Sequence, residues 1–220
     1  FIKDRGKNTD PKKVFTVKDG VIRISGEEWG CITSNDEFSD YELTVEFKWG
    51  EKTWANREKS ARDSGVLIHS IGEDGGYSGI WMRGIEVQMI EGGTGDLLVV
   101  GDESKTYELT CPTADVTEGE PHVYKQGGKP HTINKGRIDW WGRDPGWTDT
   151  IGFRGKQDVE KPHGEWNTVH VVAKGNTIRL ELNGVLVNEA LDVKPAKGRI
   201  QIQSEGAEVF VRKVELKPLE

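Results

Sequence analysis

Between residues 41 and 49 the chain reads Tyr-Glu-Leu-Thr-Val-Glu-Phe-Lys-Trp, apolar at every odd position and polar at every even one. Only a β-strand, whose side chains alternate between two faces, sorts that pattern into one apolar and one wetted side. A sheet built on such strands must cover its apolar face with a second layer.

Neighbouring segments repeat the demand. Phe15 and Val17 precede Asp19-Gly20 and then Val21, Ile22 and Ile24, so residues 14–25 predict a hairpin; residues 177–188 do the same around Asn183-Gly184. Further strands are expected at 64–70, 80–90, 168–174, 199–203 and 209–216, each bounded by Gly, Pro, Asp or Asn. The pattern breaks between about residues 97 and 162, where Pro112, Pro121, Pro130, Pro145 and Gly127-Gly128 predict long loops laid across the scaffold. No window of helical length carries an apolar stripe. The expectation is an all-β jelly-roll sandwich of two antiparallel sheets, and 220 residues with 28 Gly suit one such domain spanning 1–220.

A formal charge of −7 argues against nucleic acid, whose phosphates are held by clustered Lys and Arg. No stretch approaches the roughly 18 apolar residues of a membrane-spanning helix. Cys31 and Cys111 are the only cysteines, too few for a disulfide framework or a structural zinc site, and are expected as small buried hydrophobes. The five His show no paired ligand spacing and no Gly-x-Ser-x-Gly elbow is present. No metal or cofactor is expected, and Asp74 is read as part of a plain acidic loop.

Three segments concentrate chemistry. In residues 85–91 Ile85, Val87 and Met89 are expected to face the core, leaving Glu86 and Gln88 on the opposite face. Strict alternation turns Glu91 inward, and a bulge near Met89-Ile90 would return it to the polar face beside Glu86. The spacing resembles the Glu-x-Asp-x-x-Glu strand of laminarinase-type retaining glycoside hydrolases, with Gln88 where they have aspartate. In residues 63–69, which open at Asp63, alternation puts Gly65, Leu67 and His69 on one face. His69 beside a carboxylate suits acid or base catalysis, and a structural hydrogen bond is its alternative role. The loop 140–147 holds three of the eight Trp. Trp141 and Trp147 suit stacking on pyranose C–H faces and Arg143 suits hydroxyls, although such residues also anchor loops. Trp81 and Arg83 carry the same two readings.

Taken in order, the runs 63–69, 84–96, Gly164-Glu-Trp-Asn, Leu182-Asn-Gly and 198–206 resemble the 3-keto-disaccharide hydrolase family over nearly the whole chain from Val14. The resemblance implies a concanavalin A-like sandwich, bacterial origin, a periplasmic or secreted location and action on glycosides oxidised at C3. A C3 ketone acidifies the C2 proton, so a base can remove it, the enolate can expel the C1 substituent, and water completes hydrolysis. His69 or Glu86 is the expected base, Glu91 the acid, and Arg83 or Arg143 the group polarising the ketone; Asp63, Gln88, Trp81, Trp141 and Trp147 are expected substrate contacts. A conventional retaining glycosidase using Glu86 and Glu91 and a non-catalytic sugar-binding module are the alternatives.

Overall fold

A computed structural model describes residues 1–219. Its strands are β1 (Phe15–Lys18), β2 (Val21–Ile24), β3 (Gly30–Thr33), β4 (Tyr41–Thr53), β5 (Asp63–Ile71), β6 (Arg83–Ile90), β7 (Leu97–Val100), β8 (Glu108–Thr113), β9 (Lys129–Ile133), β10 (Gly136–Ile138), β11 (Asn167–Lys174), β12 (Thr177–Leu182), β13 (Val185–Lys194), β14 (Arg199–Ser204) and β15 (Ala207–Pro218). They form a nine-stranded sheet in the order β1-β2-β15-β4-β11-β12-β13-β8-β9 and a six-stranded sheet in the order β10-β7-β6-β5-β14-β3. All strand pairs are antiparallel. The only helix among the described residues is one 3₁₀ turn, Ala55–Arg57.

β4 fulfils its pattern: Tyr41, Leu43, Val45, Phe47 and Trp49 are buried while the residues between them reach solvent. Val169 and Val171 of β11 and Val209 and Val211 of β15 extend that apolar face, which packs on Val66, Ile68, Ile85, Val87, Met89 and Ile202 of the six-stranded sheet. The hairpins form as the Asp-Gly and Asn-Gly pairs demand. Asp19 and Gly20 take φ of 51° and 77°, and Asn183 and Gly184 take 53° and 79°, the left-handed pair required at a tight two-residue reversal.

The loop-rich middle is more ordered than its prolines suggest, because β7 to β10 all fall within it. Pro112 and Pro130 are register partners in the β8–β9 pair at the margin of the larger sheet, where a missing N–H is tolerated. Cys31 and Cys111 are both free and buried, in separate apolar clusters. The six-stranded sheet departs most from simple alternation, since β5 and β6 are buried on both faces. Something therefore covers its outer face.

Candidate functional site

Register fixes what that outer face holds. Leu67 pairs with Glu86, Gly65 with Gln88 and Leu67 with Gln201, so Asp63, Gly65 and Leu67 of β5 share a face with Glu86 and Gln88 of β6 and Gln201 and Gln203 of β14. On the other flank Glu86 pairs with Leu98, and Leu98 with Arg137 of β10. Glu205 follows directly after β14. Gly65 is where this face is tightest: a Cβ there would stand 2.5 Å from the Oε1 atoms of both Glu86 and Gln203. Glycine is thus the only residue that lets those side chains meet across β5.

Loops close over the face. Arg57, from the 3₁₀ turn, places Nη2 3.3 Å from Asp63 Oδ2 and 3.0 Å from Asp149 Oδ1. The Gln88 amide donates to Asp63 Oδ1 at 2.6 Å and to the Ser64 carbonyl at 3.3 Å. Both polar atoms of the fully buried Gln203 amide lack a partner among the described residues. Beyond Leu67 the face becomes an apolar wall of Ile80, Trp81 and Val100, with Trp81 stacked on Trp29 at 6.3 Å between ring centroids.

Charge is concentrated here to an unusual degree. Burial raises Asp63, Glu86 and Glu205 above the usual carboxylate range; repulsion from Asp63 adds to the rise of the other two, and Arg57 and Arg137 oppose it. Three desolvated carboxyls that influence one another and face two guanidiniums share protons instead of all ionising. Such a cluster holds a proton acceptor and a proton donor side by side. Arg137 also lies 3.3 Å from the buried Asp96, which accepts a charged hydrogen bond from Arg143 and the Trp140 backbone N–H at 2.9 Å.

Of the residues expected in the site, the structure gathers Asp63, Glu86 and Gln88, with Trp81 on the adjoining wall. The expected convergence of His69 and Glu91 on Glu86 is not found. The β5–β6 register runs unbroken from Asp63↔Ile90 to Ile68↔Ile85, so no bulge returns Glu91 to the polar face; the irregularity lies between Ile68 and Ile71 instead. Glu91 turns inward and is saturated: Arg62 donates to it from Nη1 at 2.7 Å and from its backbone at 2.9 Å, and the Gly152 N–H donates at 2.8 Å. It pins the 150s loop. His69 sits in the irregular stretch with φ of 52°, which flips its ring onto Tyr41 in the interior, 5.8 Å between centroids. Its Nδ1 lies 2.9 Å from the Pro195 carbonyl, and burial pushes the imidazole down to about 4.

The remaining expectations are also relocated. Arg83 is at the opposite end of β6, near enough to Asp102 to lower its pKa below the usual range, after the hydrogen bonds from Ser104 that dominate that shift. Trp140 is a core residue, and Trp141 donates from Nε1 to the Leu186 carbonyl at 2.7 Å over the β13 side of the larger sheet. Trp147 and Arg143 stay near the site's flank, with Cζ of Arg143 4.3 Å from the indole centroid. Arg57, Arg137, Gln203 and Glu205 were not singled out from the sequence. The signal for two of them was present in the run Gln201-Ile-Gln203-Ser-Glu205, whose polar side chains recur every second residue on a strand lying mid-sheet. Among the described residues no three His, Cys, Asp or Glu side chains are arranged to hold a metal ion.

The fold is shared with proteins of carbohydrate chemistry. Two crystal structures of candidate glycosyl hydrolases from Parabacteroides distasonis resemble this one. One has a TM-score of 0.54 and 19% identity, covering 99% of this chain and 98% of that one; the other has 0.53 and 18%, covering 94% and 84%. A carbohydrate-binding module from Bacillus subtilis superposes with a TM-score of 0.52 at 10% identity, covering 92% of this chain and 90% of its own. No curated protein matches the sequence significantly. The family model described as the 3-keto-alpha-glucoside-1,2-lyase-like domain matches residues 2–217, from ahead of β1 to the end of β15, and the chain belongs to that family.

Proposed function

We propose that the chain cleaves the glycosidic bond of 3-keto-glycosides, with Glu86 removing the C2 proton of the oxidised sugar. The observation that carries this reading is that Asp63 and Glu86 share one buried face, with Arg57 3.3 Å from Asp63 and the charges of Glu205 and Arg137 acting on both. Abstraction of a proton beside a ketone needs a base whose pKa has been lifted toward neutrality and a fixed positive charge for the oxyanion that forms. Glu86 supplies the first and Arg137 the second. As the C1–O bond breaks, the departing oxygen takes a proton from whichever of Asp63 and Glu205 carries one. Addition of water across the resulting C1–C2 double bond returns a hydrogen to C2 and completes hydrolysis. Gln203, whose amide lies against Glu86, holds the base in position, and the Trp29–Trp81 wall borders the ring.

A retaining mechanism on Glu86 and Glu91 has less support, because both oxygens of Glu91 are occupied on the far side of the sheet. The bacterial periplasm or cell surface is proposed as the setting on the family resemblance. The test is incubation with a 3-keto-glucoside beside its unoxidised parent in deuterated water. Cleavage of the keto sugar alone, with deuterium at C2 of the product, is expected; a cleaved product that keeps its original C2 hydrogen refutes the enolate route. Sugar binding without any product, unaltered in Glu86→Gln, would instead mark a binding module.

A further inference from the structure

The turn Glu91-Gly92-Gly93-Thr94-Gly95-Asp96 joins β6 to β7 and takes no part in the chemistry proposed at C2. Its last residue is fully buried, and the two carboxylate oxygens of Asp96 serve different parts of the molecule. Oδ1 accepts the Trp140 backbone N–H at 2.9 Å, which ties it to the core; Oδ2 accepts from Arg143 and lies 3.3 Å from Arg137 Nη1 at the rim of the site. The main chain of Asp96 is held as well, its carbonyl accepting from the Gln88 N–H at 3.1 Å. Glycine makes this approach possible. A Cβ on Gly93 would overlap the Arg143 guanidinium, and one on Gly95, which takes φ of 112°, would stand 2.8 Å from Val187 Cγ2.

We propose that Asp96 is a positioning residue that acts through Arg137: its carboxylate holds that guanidinium at the site, where the positive charge stabilises the oxyanion. The inference rests on the role given to Arg137 above. Arg137 needs such a hold. It is rooted in β10, a three-residue strand at the edge of its sheet that pairs there only with β7, and its side chain is 40% exposed. Among the described residues it pairs with no carboxylate but Asp96. A long side chain without that partner gains rotamer freedom by leaving for solvent. Its place matters to the cluster, because the charge of Arg137 lowers the pKa of Asp63, Glu86 and Glu205 alike. The charged groups around Asp96 are Arg143, Asp139 and Arg137. Burial pushes Asp96 up to about 7, with Asp139 adding to the rise and the two arginines opposing it. The ionised form that grips Arg137 is therefore the one the arginines favour.

The test reads the Glu86 carboxyl titration by ¹³C NMR of glutamate-labelled protein, its signal assigned by its loss in Glu86→Gln, so no substrate is needed. Asp96→Asn keeps the size of the side chain and the acceptor for the Trp140 N–H while removing the charge. It should raise the Glu86 midpoint by about 0.5 pH or more, as should Arg137→Gln, and the double variant should go no higher than Arg137→Gln alone. No rise, a fall, or a rise from Asp96→Asn that persists in the Arg137→Gln background overturns the proposal. On a 3-keto-glucoside Asp96→Asn should lower kcat by about tenfold or more with little change in KM, again without further loss in the double variant. An unchanged kcat beside a raised midpoint refutes Arg137 as the partner of the oxyanion and the role of Asp96 with it. If the native protein cleaves no 3-keto-glucoside, the 3-keto reading fails and the titration still decides whether Asp96 holds Arg137. If Asp96→Asn does not fold, ¹⁵Nε relaxation of the native protein decides: Arg137 should be as ordered as Arg143, and motion equal to that of Arg179, 46% exposed in surface pairs, overturns the clamp.

Discussion

On the nine-stranded sheet the outward carboxylates stay in contact with solvent. Glu42 and Glu181 flank His170 at 3.6 and 3.7 Å, and Glu46 pairs with Arg212 at 2.5 Å. On the six-stranded sheet Asp63 and Glu86 occupy equivalent outward positions, yet they are only 7% and 5% exposed and their acidity is displaced. Both faces obey the same alternation. What separates them is cover: the 3₁₀ turn sets Arg57 against Asp63, and Asp149 holds that Arg57 in turn. An outward carboxylate becomes a candidate catalyst when loops take its water away, because desolvation penalises the charged form while neighbouring charges set how protons are shared.

The sharpest break of this contrast is Glu86→Gln, expected to lower kcat on a 3-keto-glycoside by about 10²–10⁴-fold and to abolish C2 exchange. The same variant has a stability signature of fixed sign. A carboxyl whose folded pKa is raised binds more protons folded than unfolded, so its contribution declines as pH rises from about 4.3 through the raised value. Urea midpoints should therefore rank Glu86→Gln above the native protein at pH 8 and equal to it below pH 4. Equal midpoints at pH 8 would mean that the cluster is less desolvated than its surroundings imply.

Glu91 tests the other kind of buried carboxylate, one saturated by donors. Glu91→Ala leaves Arg62 uncompensated and should cost about 3–5 kcal/mol in chemical denaturation. Retention of full stability would show that the 150s loop is anchored elsewhere. His69 has the opposite pH sense to Glu86. Its folded value lies near 4 and its unfolded value near 6.5, so stability is lost as pH falls between them, by about 3 kcal/mol in all. His69→Gln should flatten that limb of a stability–pH curve and leave the pH–rate profile of the enzyme in place; a change in the profile would return His69 to the chemistry.

Gly65→Ala sharpens the geometry. The new methyl displaces the tips of Glu86 and Gln203, both flexible, so activity should fall by about 10²-fold with little change in unfolding midpoint. The smallest effect belongs to the bare sheet. Glu46→Gln should change stability by about 0.2–1 kcal/mol and activity not at all, since its pair with Arg212 is open to solvent.

Much of this was legible in residue order. The alternation in β4, the Asp19-Gly20 and Asn183-Gly184 reversals, and Glu86 and Gln88 opposite Ile85 and Val87 follow from side-chain period and turn chemistry alone. Glu91 shows where that reasoning stops. Its inward position is what strict alternation dictates, and a bulge on its own strand was the expectation that failed; the irregularity fell in β5 at His69 and turned that ring alone into the interior. Bulges depend on how two strands are matched, and one strand's sequence does not hold that information. Arg137 and Glu205 were missed for a related reason, being far from Glu86 in the chain and brought to it only by strand order.

Sequence by itself determined the class of fold and, wherever the strand pairing is regular, the membership of each strand's two faces, because both are properties of local backbone geometry and of the partition of apolar side chains from water. Which face becomes a site was decided by tertiary structure alone. Strands β5, β6 and β14 and the turn carrying Arg57 had to bring Asp63, Glu86 and Glu205 together, and the shift in their acidity exists only once that assembly has excluded solvent and set their charges side by side.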